Sequence, residues 1–320
     1  MTTVPSVSVI LPVKNEVEFL EATLDAIVAQ DYPGEVEIHV VDGGSDDGTI
    51  EILHRFEERA PNFHWSSNPQ GLTARSLNQG ISKTSGEVVV RCDARSVLPL
   101  DYVSTAVRLL DETGAANVGG TQRATGRGLV QRAVALATTS VYGAGDARFR
   151  IGGEPGPVDT VYLGVFRRSV LEEVSGFDEG FVRNQDAELN SRIRKSGRTV
   201  FFSPDLSAEY QPRGSLRELG SQYFKYGQWR RETTRAHPEH LAWRQLIPPL
   251  FVLGLGASIV LGMFGQTTAA LVVPAAYGAF LLAAVVTLAQ RGDTAAMLTP
   301  VVLVVIHVSW GVGFLVGPFK

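Results

Sequence analysis

Cysteine is almost missing from this sequence: Cys92 is the single one in 320 residues. One thiol cannot build a disulfide framework or a cysteine-rich zinc site within a chain. Positive charge is in no excess, since 29 Lys and Arg face 33 Asp and Glu for a net charge of -4. That balance offers no electrostatic footprint for nucleic acid. Met1 to Ser6 lacks a basic region followed by an apolar run, so no signal peptide is expected there. Repeats, low-complexity tracts and long linkers are also lacking. Neither the G-x-G-x-x-G dinucleotide fingerprint nor the P-loop pattern occurs, which counts against a dehydrogenase or an ATPase.

The longest shortage is of charge. No Asp, Glu, Lys or Arg occurs from Leu246 to Gln290, and after Arg291 and Asp293 none occurs from Thr294 to Phe319. A membrane-crossing helix needs about 20 apolar residues. Three spans are predicted, at 246–264, 268–289 and 296–317, with Gly and Pro tolerated inside them. A buried helical core is the alternative, but soluble helices seldom run this long uncharged. Arg230, Arg231, Arg235 and Arg244 precede the first span, the Gly265-Gln-Thr267 loop is uncharged, and the second loop holds Arg291. That bias puts the basic flank and the second loop in the cytoplasm, and Lys320 outside. Aromatic and basic residues mix between Ser215 and Trp243, which predicts interfacial helices over 213–245. His307 falls in the third span, where helix–helix hydrogen bonding is its expected role.

What remains is the first two-thirds of the chain. Val7 to Pro12, Val36 to Val41 and Val88 to Arg91 read as strands. Phe19 to Gln30, Thr49 to Glu58 and Thr73 to Ile81 read as helices. Strands alternating with helices predict an α/β domain with a mainly parallel sheet over 1–212. Such sheets bind ligands beyond the carboxyl ends of their strands. Asp42-Gly-Gly-Ser-Asp-Asp-Gly-Thr49 stands at one of those ends. Its glycines suit a tight turn, but turn chemistry does not call for Asp42. Cys92 reads as a small buried hydrophobe. Gly143 to Pro157, rich in Gly and Pro, predicts a mobile loop over the active site.

These motifs resemble, in order and spacing, those of the family 2 glycosyltransferases. Ile10-Leu-Pro-Val-Lys-Asn-Glu16 and Val41 to Thr49 look like the family's opening. Gly71 to Asn78, Asp93-Ala-Arg95 with Pro99, and Asn184-Gln-Asp-Ala-Glu-Leu-Asn190 look like its later motifs. Tyr226-Gly-Gln-Trp-Arg230 and the apolar C-terminal region make the chain similar to the succinoglycan-type membrane glucosyltransferases of that family. The resemblance covers nearly the whole chain. It implies a GT-A fold, a nucleotide-diphosphate sugar donor and inversion at the anomeric carbon. It implies that Asp42 pairs with the donor's base, with uracil preferred. Pro12 and Glu16 would border the nucleotide, and Arg75 would lie near it or be a solvated helix charge.

Asp93 matches the first position of the family's Asp-x-Asp motif. It would hold the diphosphate through Mg²⁺ or Mn²⁺, which favour hard oxygen ligands. The third position is Arg95, which cannot ligate a cation. Arg95 would point away, contact the diphosphate itself, or pair with Asp93 or Asp101. Asp186 matches the general base, with Gln185 where the family usually has Glu. Asp159 and Trp229 are implied on the acceptor side. Their other readings are a turn residue and a membrane anchor. The expected partners are a nucleotide-diphosphate sugar, a lipid-linked saccharide or polyprenyl acceptor, and the membrane. Two other functions remain open, a polyprenyl-phosphate glycosyltransferase and a non-catalytic sugar-nucleotide-binding scaffold. A processive synthase is disfavoured, because Gln228-Trp-Arg-Arg lacks the Q-x-x-R-W order.

Overall fold

The structure is a computed structural model and describes residues 4–236, 238 and 243–318, without the Arg244 side chain. Lys320, expected outside the membrane, lies beyond the described residues. The chain divides into two compact units. One comprises Met1–Arg123 and Arg148–Tyr210, the other Ala124–Ala147 and Gln211–Lys320.

The first unit is built on one sheet. Its strands are β1 Val7–Val13, β2 Val36–Asp42, β3 Phe63–Ser67, β4 Val88–Arg91, β5 Ser96–Val97, β6 Asn117–Ala124, β7 Gly156–Pro157, β8 Tyr162–Arg167 and β9 Val200–Tyr210. They run in the order β3-β2-β1-β4-β8-β6-β9-β5, with β7 paired to β9. β1, β2, β3 and β4 are parallel, as the alternation of elements predicted. Beyond them β8 enters antiparallel to both β4 and β6, so the sheet is mixed. The reason lies in the connections. Helices α1 Leu20–Val28, α2 Thr49–Arg59 and α3 Thr73–Ser82 carry the chain back between the parallel strands, with α4 Tyr102–Thr113 following β5.

The period-2 alternation of β1 sets its two faces. Val7, Val9 and Leu11 pack with Leu20, Leu24 and Ile27 of α1, whereas Ile10 packs with Ala74 and Leu77 of α3. Each such large side chain, fully buried, contributes about 1.5–3 kcal/mol. Pro12 sits in a central strand, where its missing N–H would normally break a ladder. It is tolerated because β1 pairs with β4 only from Val7 to Ile10, while its partnership with β2 runs on to Val13. Past Ile10, β1 and β4 part. The strand order also reverses there, with β2 on one side of β1 and β4 on the other. Ligands of open α/β sheets bind at that kind of crevice.

The Gly143–Pro157 stretch, expected as a mobile loop, contains short regular elements. It holds part of a short helix, Val141–Ala144, a second helix, Arg148–Ile151, and the strand β7. Arg148 Nη1 donates to the Glu154 carbonyl at 3.2 Å, and β7 is fixed by pairing to β9. Ladder and helix hydrogen bonds outweigh the looseness its glycines suggested.

The second unit is helical. Leu129–Thr138 and Leu216–Ala236 pack with the apolar helices through Ala133, Ala137, Leu219, Tyr223, Leu303 and Ile306. Three apolar helices form where three spans were predicted: Ile247–Met263, Thr267–Ala289 and, after a 3₁₀ turn, Thr299–Val316. Two are long and apolar enough to cross a membrane, Thr267–Ala289 and Thr294–Val316. Ile247–Met263 has 17 residues. At 1.5 Å per residue that is about 26 Å, short of the roughly 30 Å hydrocarbon core.

The aromatic-basic helix is used differently from what its composition suggested. Gly227 lets it approach the last helix closely, because a Cβ there would run into the Trp310 carbonyl. Gln228 Nε2 donates to the Gly317 carbonyl at 2.7 Å, and Arg231 Nη1 donates to the Leu315 carbonyl. These bonds satisfy carbonyls that a helix end leaves open. Arg231 thus serves the end of the last helix. His307 is satisfied as expected: its ring nitrogens meet the Tyr277 hydroxyl and the Tyr142 carbonyl, each at 2.9 Å.

Candidate active site

Four loops of the first unit meet at the parting of β1 and β4. The loop after β1 is zipped to the loop after β2. The Asn15 amide side chain exchanges hydrogen bonds of 2.9 and 3.0 Å with Asp46, and Glu16 N donates to Thr49 Oγ1 at 3.0 Å. Within the β2 loop, Asp42 is 1 % exposed. Its carboxylate accepts from Gly44 N at 2.9 Å, Ser45 N at 3.1 Å and Ser45 Oγ at 2.5 Å. Gly44 has φ +82, so the turn Asp42 organises needs glycine there. Turn chemistry therefore does call for Asp42, contrary to the expectation from sequence. Asp42→Ala should remove the charged acceptor of part-buried hydrogen bonds that order this turn, each worth about 1.5–3 kcal/mol. The expected result is a lower melting temperature together with weaker binding of a nucleoside diphosphate in calorimetry. A lower melting temperature with unchanged affinity would make Asp42 purely structural.

Arg95 lies in the loop after β4 and reaches back to the β1 loop. Its Nε lies 3.0 Å from Glu16 Oε1, in hydrogen-bonding geometry, and 2.8 Å from Oε2. Its guanidinium stands 4.3 Å from the Phe19 ring centroid. Neither Asp93 nor Asp101 is its ion-pair partner. The charge that replaces the family's second acid is thus neutralised by Glu16 and stacked on an aromatic face.

The centre of the site is a residue that the motifs did not flag. Arg91 ends β4 and is 8 % exposed. Its Nη2 donates to Asp93 Oδ1 at 2.9 Å, and its Nη1 donates to Asp186 Oδ1. The candidate metal-binding acid and the candidate base, far apart in sequence, share one guanidinium. A charge closing the buried run Val88-Val-Val-Arg91 was the available signal. Asp186 occupies the first turn of the helix Gln185–Lys195, entered through Asn184 at φ +62. Two further motif residues anchor that helix. Glu188 grips Arg192 within the helix through two hydrogen bonds of 2.6 and 2.7 Å, and Arg192 Nη2 so held donates to the Gly176 carbonyl outside it at 2.8 Å. Asn190 accepts from Asn117 of β6 at 2.7 Å and donates to Thr160 at 3.0 Å.

Around this centre, Tyr162 of β8 lies 2.5 Å from Ser96 Oγ, and burial followed by the Asp93 charge pushes its hydroxyl pKa well up. Burial likewise raises the Cys92 thiol far above its usual range, so it stays an unreactive hydrophobe. Arg75 is exposed on α3, with Nη1 on Gln70. Asp159 is exposed between β7 and β8. Trp229 lies on the helix Leu216–Ala236 of the other unit.

Asp42 and Asp93, each just past the buried part of a parallel strand, fall within a family match. Residues 8–175 match the family described as "Glycosyl transferase family 2". The chain belongs to that family. As a member it is a glycosyltransferase, and the expectation of a hexosyltransferase stands with it. It is 28 % identical to succinoglycan biosynthesis protein ExoA of Rhizobium meliloti (strain 1021), covering 96 % of this chain and 93 % of that protein. It is 24 % identical to a dolichyl N-acetyl-alpha-D-glucosaminyl phosphate 3-beta-D-2,3-diacetamido-2,3-dideoxy-beta-D-glucuronosyltransferase of Methanococcus voltae, covering 80 % and 82 %. Among solved structures it resembles mannosyltransferase PcManGT of Pyrobaculum calidifontis, in complex with GDP-Man and Mn²⁺. The TM-score there is 0.61 at 22 % identity, covering 97 % of this chain and 88 % of the other. These matches establish the GT-A fold.

The site's chemistry also bears on a cation. Two arginines, Arg91 and Arg95, face three carboxylates, Glu16, Asp93 and Asp186, which leaves one net negative charge. Among the described residues, no group of three or more His, Cys, Asp or Glu could hold a metal. Asp93 is the carboxylate at hand, one third exposed. That donor set fits Mg²⁺ or Mn²⁺, since Mg²⁺ often uses one or two carboxylates together with substrate phosphates.

Proposed function

We propose that this glycosyltransferase moves a hexosyl group from a nucleotide-diphosphate sugar, with UDP favoured, to a lipid-linked saccharide in exopolysaccharide or cell-surface glycan synthesis. The observation that carries the reading is the joining of Asp93 and Asp186 through Arg91 beside the β1–β4 crevice. Asp186 accepts the proton of the acceptor hydroxyl as that oxygen bonds to the anomeric carbon. The bond from that carbon to the diphosphate oxygen breaks, its electron pair leaves with the nucleoside diphosphate, and configuration inverts. Asp93 would hold a divalent cation, which would neutralise charge on the leaving diphosphate. Pro12, Glu16, Asp42, Arg75 and Arg95 border the donor, and Asp159 and Trp229 serve the acceptor.

The names of relatives support this. The Methanococcus voltae protein is named for a lipid-linked saccharide acceptor, and ExoA for succinoglycan biosynthesis. The neighbouring structures hold GDP-Man with Mn²⁺ and, in TarS of S. aureus, UDP-GlcNAc. The test is an assay of the purified full chain with a panel of nucleotide sugars, against lipid-linked saccharides and bare polyprenyl phosphates. Transfer to saccharide hydroxyls is expected. Transfer to bare phosphate alone would replace this reading with the polyprenyl-phosphate one, and no turnover of any donor would favour a scaffold.

The second unit is proposed to be the membrane anchor of a multi-pass protein, with the first unit and Arg291 on the cytoplasmic side of the plasma membrane. Large apolar side chains stand exposed on its helices, Met263 at 81 % and Leu282 at 65 % among them. Reporter fusions after Asp293 and at Lys320 are expected on opposite sides. Signals on the same side would refute a crossing by the last helix.

A further inference from the structure

We propose that Arg91 is a positioning residue, which holds the Asp186 carboxylate so that one defined oxygen faces the acceptor. This rests on the reading of Asp186 as the general base. The helix carrying Asp186 is anchored by Glu188 and Asn190, but those bonds fix its backbone and leave the Asp186 side chain to be set separately. Arg91 sets it. Nη1 engages Asp186 Oδ1, so Oδ2 is the oxygen that receives the acceptor's proton. The acceptor O–H bond breaks to Oδ2, the new bond forms at the anomeric carbon, and Arg91 keeps its own protons throughout. Nη2 meanwhile holds Asp93 at 2.9 Å, so base and diphosphate-side acid are registered to each other. A guanidinium fork can serve two carboxylates at once, which a lysine ammonium does with far poorer geometry.

Stability does not explain Arg91. Buried ion-pair networks are often no better than well-packed apolar residues of similar volume, because desolvation offsets the attraction. Arg91 is also imperfectly served, since its buried Nε finds no hydrogen-bond partner. A buried charge kept on such terms, at the end of an apolar strand, fits a task at the site.

The experiment compares the full chain with Arg91→Gln, Arg91→Lys, Asp186→Asn and the double variant Arg91→Gln/Asp186→Asn. Arg91→Gln is expected to lower kcat by about 10²-fold, the scale of a misplaced catalytic group. Its affinity for a nucleoside diphosphate with Mn²⁺, read by calorimetry, should be little changed, and Arg91→Lys should recover part of the rate. In the Asp186→Asn background, Arg91→Gln should cost nothing more, because a residue acting through another loses its effect when that one is gone. Equal losses in both backgrounds would overturn the inference and show that Arg91 acts independently. Full kcat in Arg91→Gln would overturn it while leaving Asp186 intact as the base. Parental transfer by Asp186→Asn would instead remove the general-base reading, and this inference with it. Should Arg91→Gln not melt cooperatively, Arg91→Met, which keeps the volume of the stem, carries the same comparison.

Discussion

Asp186→Asn is expected to lower sugar transfer by about 10²–10⁴-fold, the usual contribution of a general base. Donor binding should stay close to that of the parent. The substitution keeps the shape of the side chain, and its amide oxygen can still accept from Arg91 Nη1. What it loses is an oxygen able to take up a proton at neutral pH. The helix should survive, since Glu188–Arg192 and Asn190–Asn117 hold it independently of position 186. A fall in kcat without loss of donor affinity therefore reports chemistry rather than collapse. Transfer at the parental rate would end the assignment. Loss of donor binding would place Asp186 on the donor side instead.

Exhaustive chelation is expected to abolish transfer, and Mn²⁺ or Mg²⁺ to restore it. The argument is electrostatic. A diphosphate approaching Glu16, Asp93 and Asp186 meets three carboxylates whose paired arginines, Arg91 and Arg95, leave one net negative charge. Both arginines are already committed to those carboxylates, so neither is spare for the leaving group. Charge stabilisation by a metal is worth several kcal/mol, or at least about 10²-fold in rate. Calorimetry supplies a readout apart from turnover, since nucleoside diphosphate should bind tightly only with the cation present. Full activity without metal would show that Arg95 leaves Glu16 for the diphosphate. Arg95→Ala should then be nearly inactive.

The strands β1, β2 and β4, the helices behind them and the place of Asp42 at a strand end were legible because they rest on local pattern, whereas Asp93 and Asp186 were marked by the family resemblance. Alternation, helical spacing and turn residues are written within a few positions of one another. The antiparallel half of the sheet was not legible. β8 meets β4 from far along the chain, and its six residues carry no local mark of direction. The apolar helices were legible in composition, but the length of the first was not, since the Pro248-Pro249 start and the Gly265 turn set its ends.

By itself the sequence determined the kind of chemistry: acids at strand ends, no disulfide, no cysteine metal site, a C-terminal region charged only at Arg291, Asp293 and Lys320, and a family pattern with Arg95 out of place. Only the tertiary structure decided which charge answers which. It gave Arg95 to Glu16 and Phe19, Arg231 to the end of the last helix, and Asp93 and Asp186 to Arg91. The physical reason is that an ion pair depends on distance in space and on burial, and a one-dimensional pattern encodes neither for residues that chain reversal brings together.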